Sequence, residues 1–301
     1  MAIPEAQLET WSGHGSTGVF RDTYNHLKET LEDSAAPFAN RKFEVFLQGS
    51  YENDSNTHGE SDVDTVIMLT STFHYSLSRL NPQEEQNFQA AYPTTATYDI
   101  ADFKREVTAW LQHEYAGYVD VTRNKVIAID RNGRLPREAD VLVCAEYKNY
   151  WGFANIDDKT SYTRGVKFYD RNNNPIVNYP ELHSARCSDK NKETGGAFKP
   201  TVRILKSMRR RLIEDRLLAD GVAPSYYIEG LLSNVPTPNF VATHEATVFN
   251  CLRWLYTCDR STLRCAHQMS LLTGDNSPTA WPLADCNTFI NALANYWDSW
   301  R

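Results

Sequence analysis

Asp62 and Asp64 stand two residues apart at the entrance to an apolar run, 63–69. On a strand, residues two apart project to the same face, so the pair presents two carboxylates side by side. Like charges held that close are costly unless a cation sits between them. Hard divalent cations choose oxygen ligands, and Mg²⁺ takes one or two protein carboxylates while phosphate oxygens and water complete its octahedron. A bare Asp-x-Asp is more often a solvated pair at a strand entrance, so its neighbours decide. Upstream, Gly49 and Ser50 follow a short alternating run. A glycine there permits close backbone approach, and the N–H groups of a following turn can cradle phosphate oxygens. A third carboxylate, Asp140, opens another apolar run, 139–143, and can converge on the same metal from a neighbouring strand.

A basic stripe points to the same ligand. Lys199, Arg203, Lys206 and Arg210 are spaced four, three and four apart on a helix beginning at Phe198, while Val202, Leu205, Met208 and Leu212 cover another side. Alone, such a stripe is a solvated face. Beside a polyphosphate site it becomes a clamp for a triphosphate tail.

These groups need a scaffold, and the pattern supplies strands first and helices later. Residues 17–31 form a helix with Val19, Phe20, Tyr24, Leu27 and Leu31 on one face. Residues 42–47 alternate as a strand, followed by a polar run over 51–60 and a buried strand over 63–69. Residues 102–115 are helical, 118–130 alternate as strand material, and 139–147 form a third apolar strand after a turn at Asn132-Gly133. Helices then cover 198–218, 225–233, 244–256 and 284–300, broken by Gly221, Pro236, Pro238, Gly274 and Pro278. The order implies an α+β fold: a catalytic domain over 1–190 and a helical domain over 191–301. There is no internal repeat and no low-complexity tract.

Composition bounds the partners. The 301 residues include 31 Lys and Arg against 38 Asp and Glu, a net charge of −7, which argues against general affinity for nucleic acid or anionic membrane. No run approaches the roughly 18 to 20 apolar residues of a membrane span, and the N-terminal residues lack a basic stretch followed by an apolar one. A cytoplasmic location is expected. Six cysteines with no C-x-x-C pair read as small buried apolar side chains; Cys251, Cys258 and Cys265, seven apart, share similar faces if one helix runs through all three.

Gly49-Ser50, a spacer, Asp62-x-Asp64 and a distant Asp140 resemble the signature of the DNA polymerase β-like nucleotidyltransferases. More narrowly, Gly49-Ser50-Tyr51-Glu52-Asn53 to Ser61-Asp62-Val63-Asp64, with the helix 198–211 and Pro224-Ser225-Tyr226-Tyr227-Ile228-Glu229, resembles the bacterial CD-NTases. These are relatives of animal cyclic GMP-AMP synthase and oligoadenylate synthetase that make cyclic oligonucleotide signals in anti-phage defence. The similarity extends over roughly residues 15–300 and is strongest to clade E. It implies a catalytic sheet domain and a helical domain with the active-site cleft between them. It implies that Asp62 and Asp64 bind two Mg²⁺ ions, with Mn²⁺ as a substitute, and that Asp140 binds the catalytic one. Gln48, Gly49 and Ser50 would contact the donor nucleotide, the last two at its β and γ phosphates. Lys206 and Ser225 would touch the triphosphate, and Tyr226 would stack on a base. Ser225 after Pro224 is equally an ordinary helix start, and Tyr226 equally a core aromatic.

The implied reaction is two-metal phosphoryl transfer, in which a ribose hydroxyl of one NTP attacks the α phosphate of another and pyrophosphate leaves. A second round closes a cyclic di- or trinucleotide, which acts on a downstream effector that the enzyme itself need not touch. In this family a polar residue beyond the third metal-binding Asp helps choose the base. Asn155 is the nearest match and implies pyrimidine use. No His and Cys cluster has zinc-ligand spacing, so activation by double-stranded DNA is not expected. Two other readings keep the same motifs: transfer of a nucleotide to a protein or tRNA acceptor, and a catalytically silent nucleotide-binding regulator.

Overall fold

The alternating run 43–47 and the apolar run 63–69 fold into neighbouring strands of a mixed sheet. The computed structural model describes residues 3–14, 18–57, 62–275, 277 and 279–300; Thr17, Ser61, the end of the polar run before it and Pro278 lie outside the described residues. The chain divides into two compact units, Thr17–Gln48 with Asp62–Pro180, and Met1–Ser16 with Gly49–Ser61 and Glu181–Arg301. The architecture is α+β, but the division is discontinuous rather than a single cut at residue 190, because the N-terminal helix and the segment after the first strand group with the C-terminal helices.

The first unit holds one seven-stranded sheet: β1 (Phe43–Leu47), β2 (Val63–Ser76), β3 (Val119–Asp120), β4 (Ile127–Ile129), β5 (Ala139–Tyr150), β6 (Tyr162–Tyr169) and β7 (Pro175–Asn178). Its order is β1-β2-β5-β4-β3, with β6 also pairing with β5 and β7 with β6. Only β2 and β5 among these pairs run parallel. A parallel pair needs a long crossover, here containing α4 (Pro82–Ala91) and α5 (Ile100–Glu114). Both helices start in a full capping box, at Asn81 with Glu84 and at Asp99 with Asp102. Even-numbered residues Val66, Met68, Leu142 and Cys144 pack with Val166, Phe168 and Ile176. Odd-numbered Val63, Ile67, Leu69, Val141 and Val143 are equally buried, and α2 (Gly18–Leu31) and α5 contact these strands.

The second unit is helical: α1 (Glu5–Ser12), the single turn α3 (Gly49–Glu52), α6 (Pro180–Glu193), α7 (Phe198–Glu214), α8 (Ser225–Ser233), α9 (His244–Thr257) and α10 (Leu283–Ser299). Helix α7 is its centre. Val202, Leu205, Met208 and Leu212 are buried, as their spacing indicates, in a core with Leu231, Leu232, Phe289, Ile290 and Leu293. The Glu5 carboxylate accepts the backbone N–H groups of His244 and Glu245, both at 2.7 Å, so a negative charge meets the positive end of α9.

Several expectations shift. The strand material over 118–130 is two short strands, because polar Arg123-Asn124-Lys125 interrupts the alternation between β3 and β4. Strands β2 and β5 run well past their apolar stretches, with a register shift between Leu69 and Phe73. Helix α9 stops at Thr257, so no helix joins Cys251, Cys258 and Cys265. All six cysteines are free thiols and five are buried. Among the described residues, no helix is long and apolar enough to cross a membrane.

Candidate active site

In the parallel register of β2 and β5, Asp64 lies opposite Asp140. Asp62 precedes β2 by one residue and is exposed, while Asp64 and Asp140 are half-buried. Burial, then the Asp62 charge, pushes the Asp140 carboxyl up to about 6. The donor set is all carboxylate oxygen on two adjacent strands, whose mutual repulsion a divalent cation relieves. It suits a hard ion such as Mg²⁺ rather than a thiolate- or imidazole-seeking metal. The Gln48 N–H donates to the Asp64 carbonyl at 3.0 Å, so the residue before Gly49 is pinned to the metal-motif strand by its backbone.

Gly49 has φ +76°, a conformation that favours glycine, and it opens α3. The turn is closed from behind: the Asn53 N–H donates to the Gly49 carbonyl at 3.1 Å, and the Ser55 N–H to the Ser50 carbonyl at 2.8 Å. Beyond it, Ser55, Asn56 and Thr57 are buried polar residues.

The basic stripe is not a solvated face. Arg203, 4% exposed, donates to the Ser12 carbonyl and to the Asp54 carbonyl, the latter at 2.7 Å. Lys206, 2% exposed, donates to the Ser55 carbonyl at 3.2 Å, the Ser55 hydroxyl at 2.9 Å and Glu229 Oε1 at 2.8 Å. Arg210 lies 3.8 Å from Glu214 one turn on. Glu229 sits among apolar residues of α8 and is 3% exposed. It accepts from the Ser55 hydroxyl and Lys206 on Oε1, and from Asn53 Nδ2 at 2.7 Å and His183 Nε2 at 2.8 Å on Oε2. Burial acts to raise its carboxyl, but the Lys206 charge and the bonds from His183 and Lys206 prevail and hold it well below the usual carboxylate range.

Ser225 begins α8, its hydroxyl 3.3 Å from Arg209 Nη1, which also donates to the Ala223 carbonyl. The Tyr226 ring stacks on His183 at 4.7 Å and 23°, and burial pushes its hydroxyl far above the ordinary phenol value. The structure thus gathers Asp62, Asp64, Asp140 and Gln48 in the sheet unit, and Gly49, Ser50, Lys206, Ser225 and Tyr226 in the helical unit. Asn155 is not brought to the carboxylates. It is exposed in the loop beyond the opposite end of β5, its side chain accepting the Asp157 N–H at 2.9 Å. Strand β5 runs from Ala139 to Tyr150, so Asp140 lies near its start and the Asn155 loop follows its other end.

His183, Cys187 and Glu229 bring donor atoms within 4.8 Å of one another. They do not form a metal centre. Both Glu229 oxygens are already engaged, an ammonium lies 2.8 Å from one of them, and burial pushes the Cys187 thiol up, away from the thiolate a metal requires. The sequence alone gives Asn53 and Glu229 no role beyond membership of the resembling runs, and does not single out Ser55 or His183. The available signal was a charge inside an apolar run, Ile228-Glu229-Gly230-Leu231, and another at Lys206 between Leu205 and Met208. Charges so placed must be paired when the helix is buried.

Aspartates in register on adjacent parallel strands of a mixed sheet are the arrangement that the resemblance to polymerase β-like nucleotidyltransferases requires. Residues 185–298 match the cGAS/DncV-like nucleotidyltransferase C-terminal helical domain. The chain is 32% identical to cyclic nucleotide synthase CdnE01 of Staphylococcus haemolyticus, over 100% of both chains. The solved structure of the Rhodothermus marinus CdnE c-UMP-AMP synthase with Apcpp and Upnpp matches with a TM-score of 0.85 at 33% identity, covering 99% of this chain and 97% of that one. That of Elizabethkingia meningoseptica CdnE cyclic dinucleotide synthase with GTP and Apcpp matches with a TM-score of 0.76 at 28% identity, covering 98% of each. The chain belongs to the CD-NTase family, in its CdnE branch, and is a nucleotidyltransferase of the kind that works with divalent metal.

Proposed function

We propose that the protein joins two NTPs into a cyclic dinucleotide second messenger, releasing pyrophosphate, as part of cytoplasmic anti-phage signalling (CBASS). The observation that carries this is the in-register pair Asp64 and Asp140, in a chain alike over its whole length to a synthase solved with two nucleotide analogues. Asp62, Asp64 and Asp140 would hold two Mg²⁺ ions, with Mn²⁺ able to replace them. When bound, the ions supply positive charge that makes a ribose hydroxyl a better nucleophile and neutralises departing pyrophosphate.

The chain's own residues position and orient. The Gly49 and Ser50 backbone groups and the Ser50 hydroxyl hold the β and γ phosphates. The Ser225 hydroxyl adds a contact to the triphosphate, and Tyr226 offers an aromatic ring to a base. Ring closure repeats the same step on the linear intermediate. The product then acts on a separate effector, and activation by DNA is not expected of a chain with a net charge of −7.

Purified protein incubated with all four NTPs and Mg²⁺ tests this. A phosphatase-resistant small product with the mass of a cyclic dinucleotide is expected, and its mass names the bases. Label recovered only on the protein or on added tRNA would overturn it in favour of acceptor modification.

A further inference from the structure

We infer that Glu229 is a positioning residue for nucleotide binding, acting through the side chains of Asn53, Ser55 and Lys206 that it holds. The inference rests on the reading of Gly49 and Ser50 as phosphate contacts. Its starting point is saturation. The Lys206 ammonium has three hydrogens, and Ser55 O, Ser55 Oγ and Glu229 Oε1 lie within hydrogen-bonding reach of it. The Glu229 carboxylate accepts four bonds, two per oxygen, from four different side chains. Both groups are almost wholly shielded from water.

A buried pair of this kind is a poor way to glue helices together. Removing two charges from water costs several kcal/mol, and apolar residues of similar volume often hold helices as well or better. What apolar residues cannot supply is direction. Two of the four donors to Glu229, Asn53 and Ser55, are the residues whose backbone N–H groups close onto the Gly49 and Ser50 carbonyls. Lys206 clamps Ser55 from the other side, and Arg203, one turn earlier on α7, holds the Asp54 carbonyl between them. Helices α6, α7 and α8 therefore fix three consecutive residues behind the turn, at both side chain and backbone. A phosphate-binding turn gains affinity when its donors are aimed before the ligand arrives. The polar core aims them.

The test uses Ser55→Ala, Ser55→Thr, Lys206→Met and the doubly neutral Lys206→Met with Glu229→Gln, the last because it leaves no unpaired buried charge. NTP binding is read by calorimetry with a non-hydrolysable NTP and Mg²⁺, KM and kcat by product formation, and order of the turn by amide hydrogen exchange over residues 49–57. Losing one hydrogen bond to a buried charge corresponds to about a tenfold change in affinity. Ser55→Ala is expected to raise KM by about that factor with kcat nearly unchanged, and to speed exchange over 49–57, with Ser55→Thr restoring both. The double variant is expected to bind NTP more tightly than Lys206→Met alone. Equal loss in those two variants would overturn the inference, as would unchanged exchange over 49–57 in Ser55→Ala. The exchange readout needs no nucleotide. A wild type that neither binds NTP nor makes product therefore sinks the proposed function separately.

Discussion

Asp64 and Asp140 face each other across the parallel β2–β5 pair, in register, with the exposed Asp62 just before β2. Parallel neighbours bring residues from distant parts of a chain to one edge of a sheet, so carboxylates 76 residues apart in sequence meet while the pair two apart stays local. The Asp140 charge opposes folding rather than assists it, since burial and Asp62 both disfavour its ionised form.

Asp62→Asn with Asp64→Asn should therefore remove function without removing the fold. Loss of the metal's charge anchor is expected to lower NTP turnover by at least about 10³-fold, since even one preorganised electrostatic group is worth 10² to 10³. Far-UV circular dichroism and thermal melting should stay at or above wild-type values. Undiminished turnover would remove these residues from the site.

Asp140 predicts a specific pH dependence. Its folded carboxyl sits at about 6, above the ordinary 3.8, so the folded state binds the proton more tightly than the unfolded one. In metal-free protein this group destabilises above pH 6, and the penalty fades as pH falls towards 4. Asp140→Asn should melt higher than wild type at pH 7.5 without metal, and the difference should vanish near pH 4. Because the metal competes with that proton, apparent Mg²⁺ affinity should fall by up to about tenfold per pH unit below 6. Calorimetric titrations at pH 5 and 7.5 would expose a contrary trend.

The sheet side of this site was legible in the sequence because period-two alternation survives in 43–47, because 63–69 is an apolar run of strand length, and because Asp62-x-Asp64 is a local pattern. The helices 225–233 and 244–256 were legible for a similar reason, with Pro and Gly punctuating them. What could not be read was pairing at a distance. Nothing local says that Lys206 meets Glu229, that residues 53–55 lie among the C-terminal helices, or that the sheet unit is interrupted between 48 and 62 as well as ending at 180. The surroundings of the basic stripe were illegible for the same reason: helical spacing gives a direction around the axis, and only tertiary packing decides whether that direction faces water. Asn155 was assigned by its match to a family position, and nothing local says that it stands in a loop beyond the far end of a twelve-residue strand.

Gly165 in β6 tests the sheet's outer packing. A Cβ there would lie 2.7 Å from the Asn178 carbonyl oxygen and 2.8 Å from the Tyr179 ring, and the first of these is backbone of the neighbouring strand region. Overpacking of this kind costs about 1 to 3 kcal/mol. Gly165→Ala should lower stability by that amount in urea titrations; a wild-type midpoint would show that β7 has room to give.

Lys206 and Glu229 make the most demanding prediction about stability. Truncating one partner of a buried ion pair leaves the other charged and dry, which costs about 3 to 5 kcal/mol. Lys206→Met or Glu229→Gln alone should each lose about that much in urea unfolding, while the double variant should recover most of it. The pH profile follows from the depressed Glu229 carboxyl: its contribution is fully present above the unfolded value of 4.5 and is lost as pH falls towards the folded one. Wild type should therefore lose stability on acidification below about pH 5 more steeply than the double variant does, although Asp140 works in the opposite sense in both. Parallel acid profiles in the two proteins would show that the pair carries no linked stability, and that the surrounding hydrogen bonds to Asn53, Ser55 and His183 hold this core by themselves.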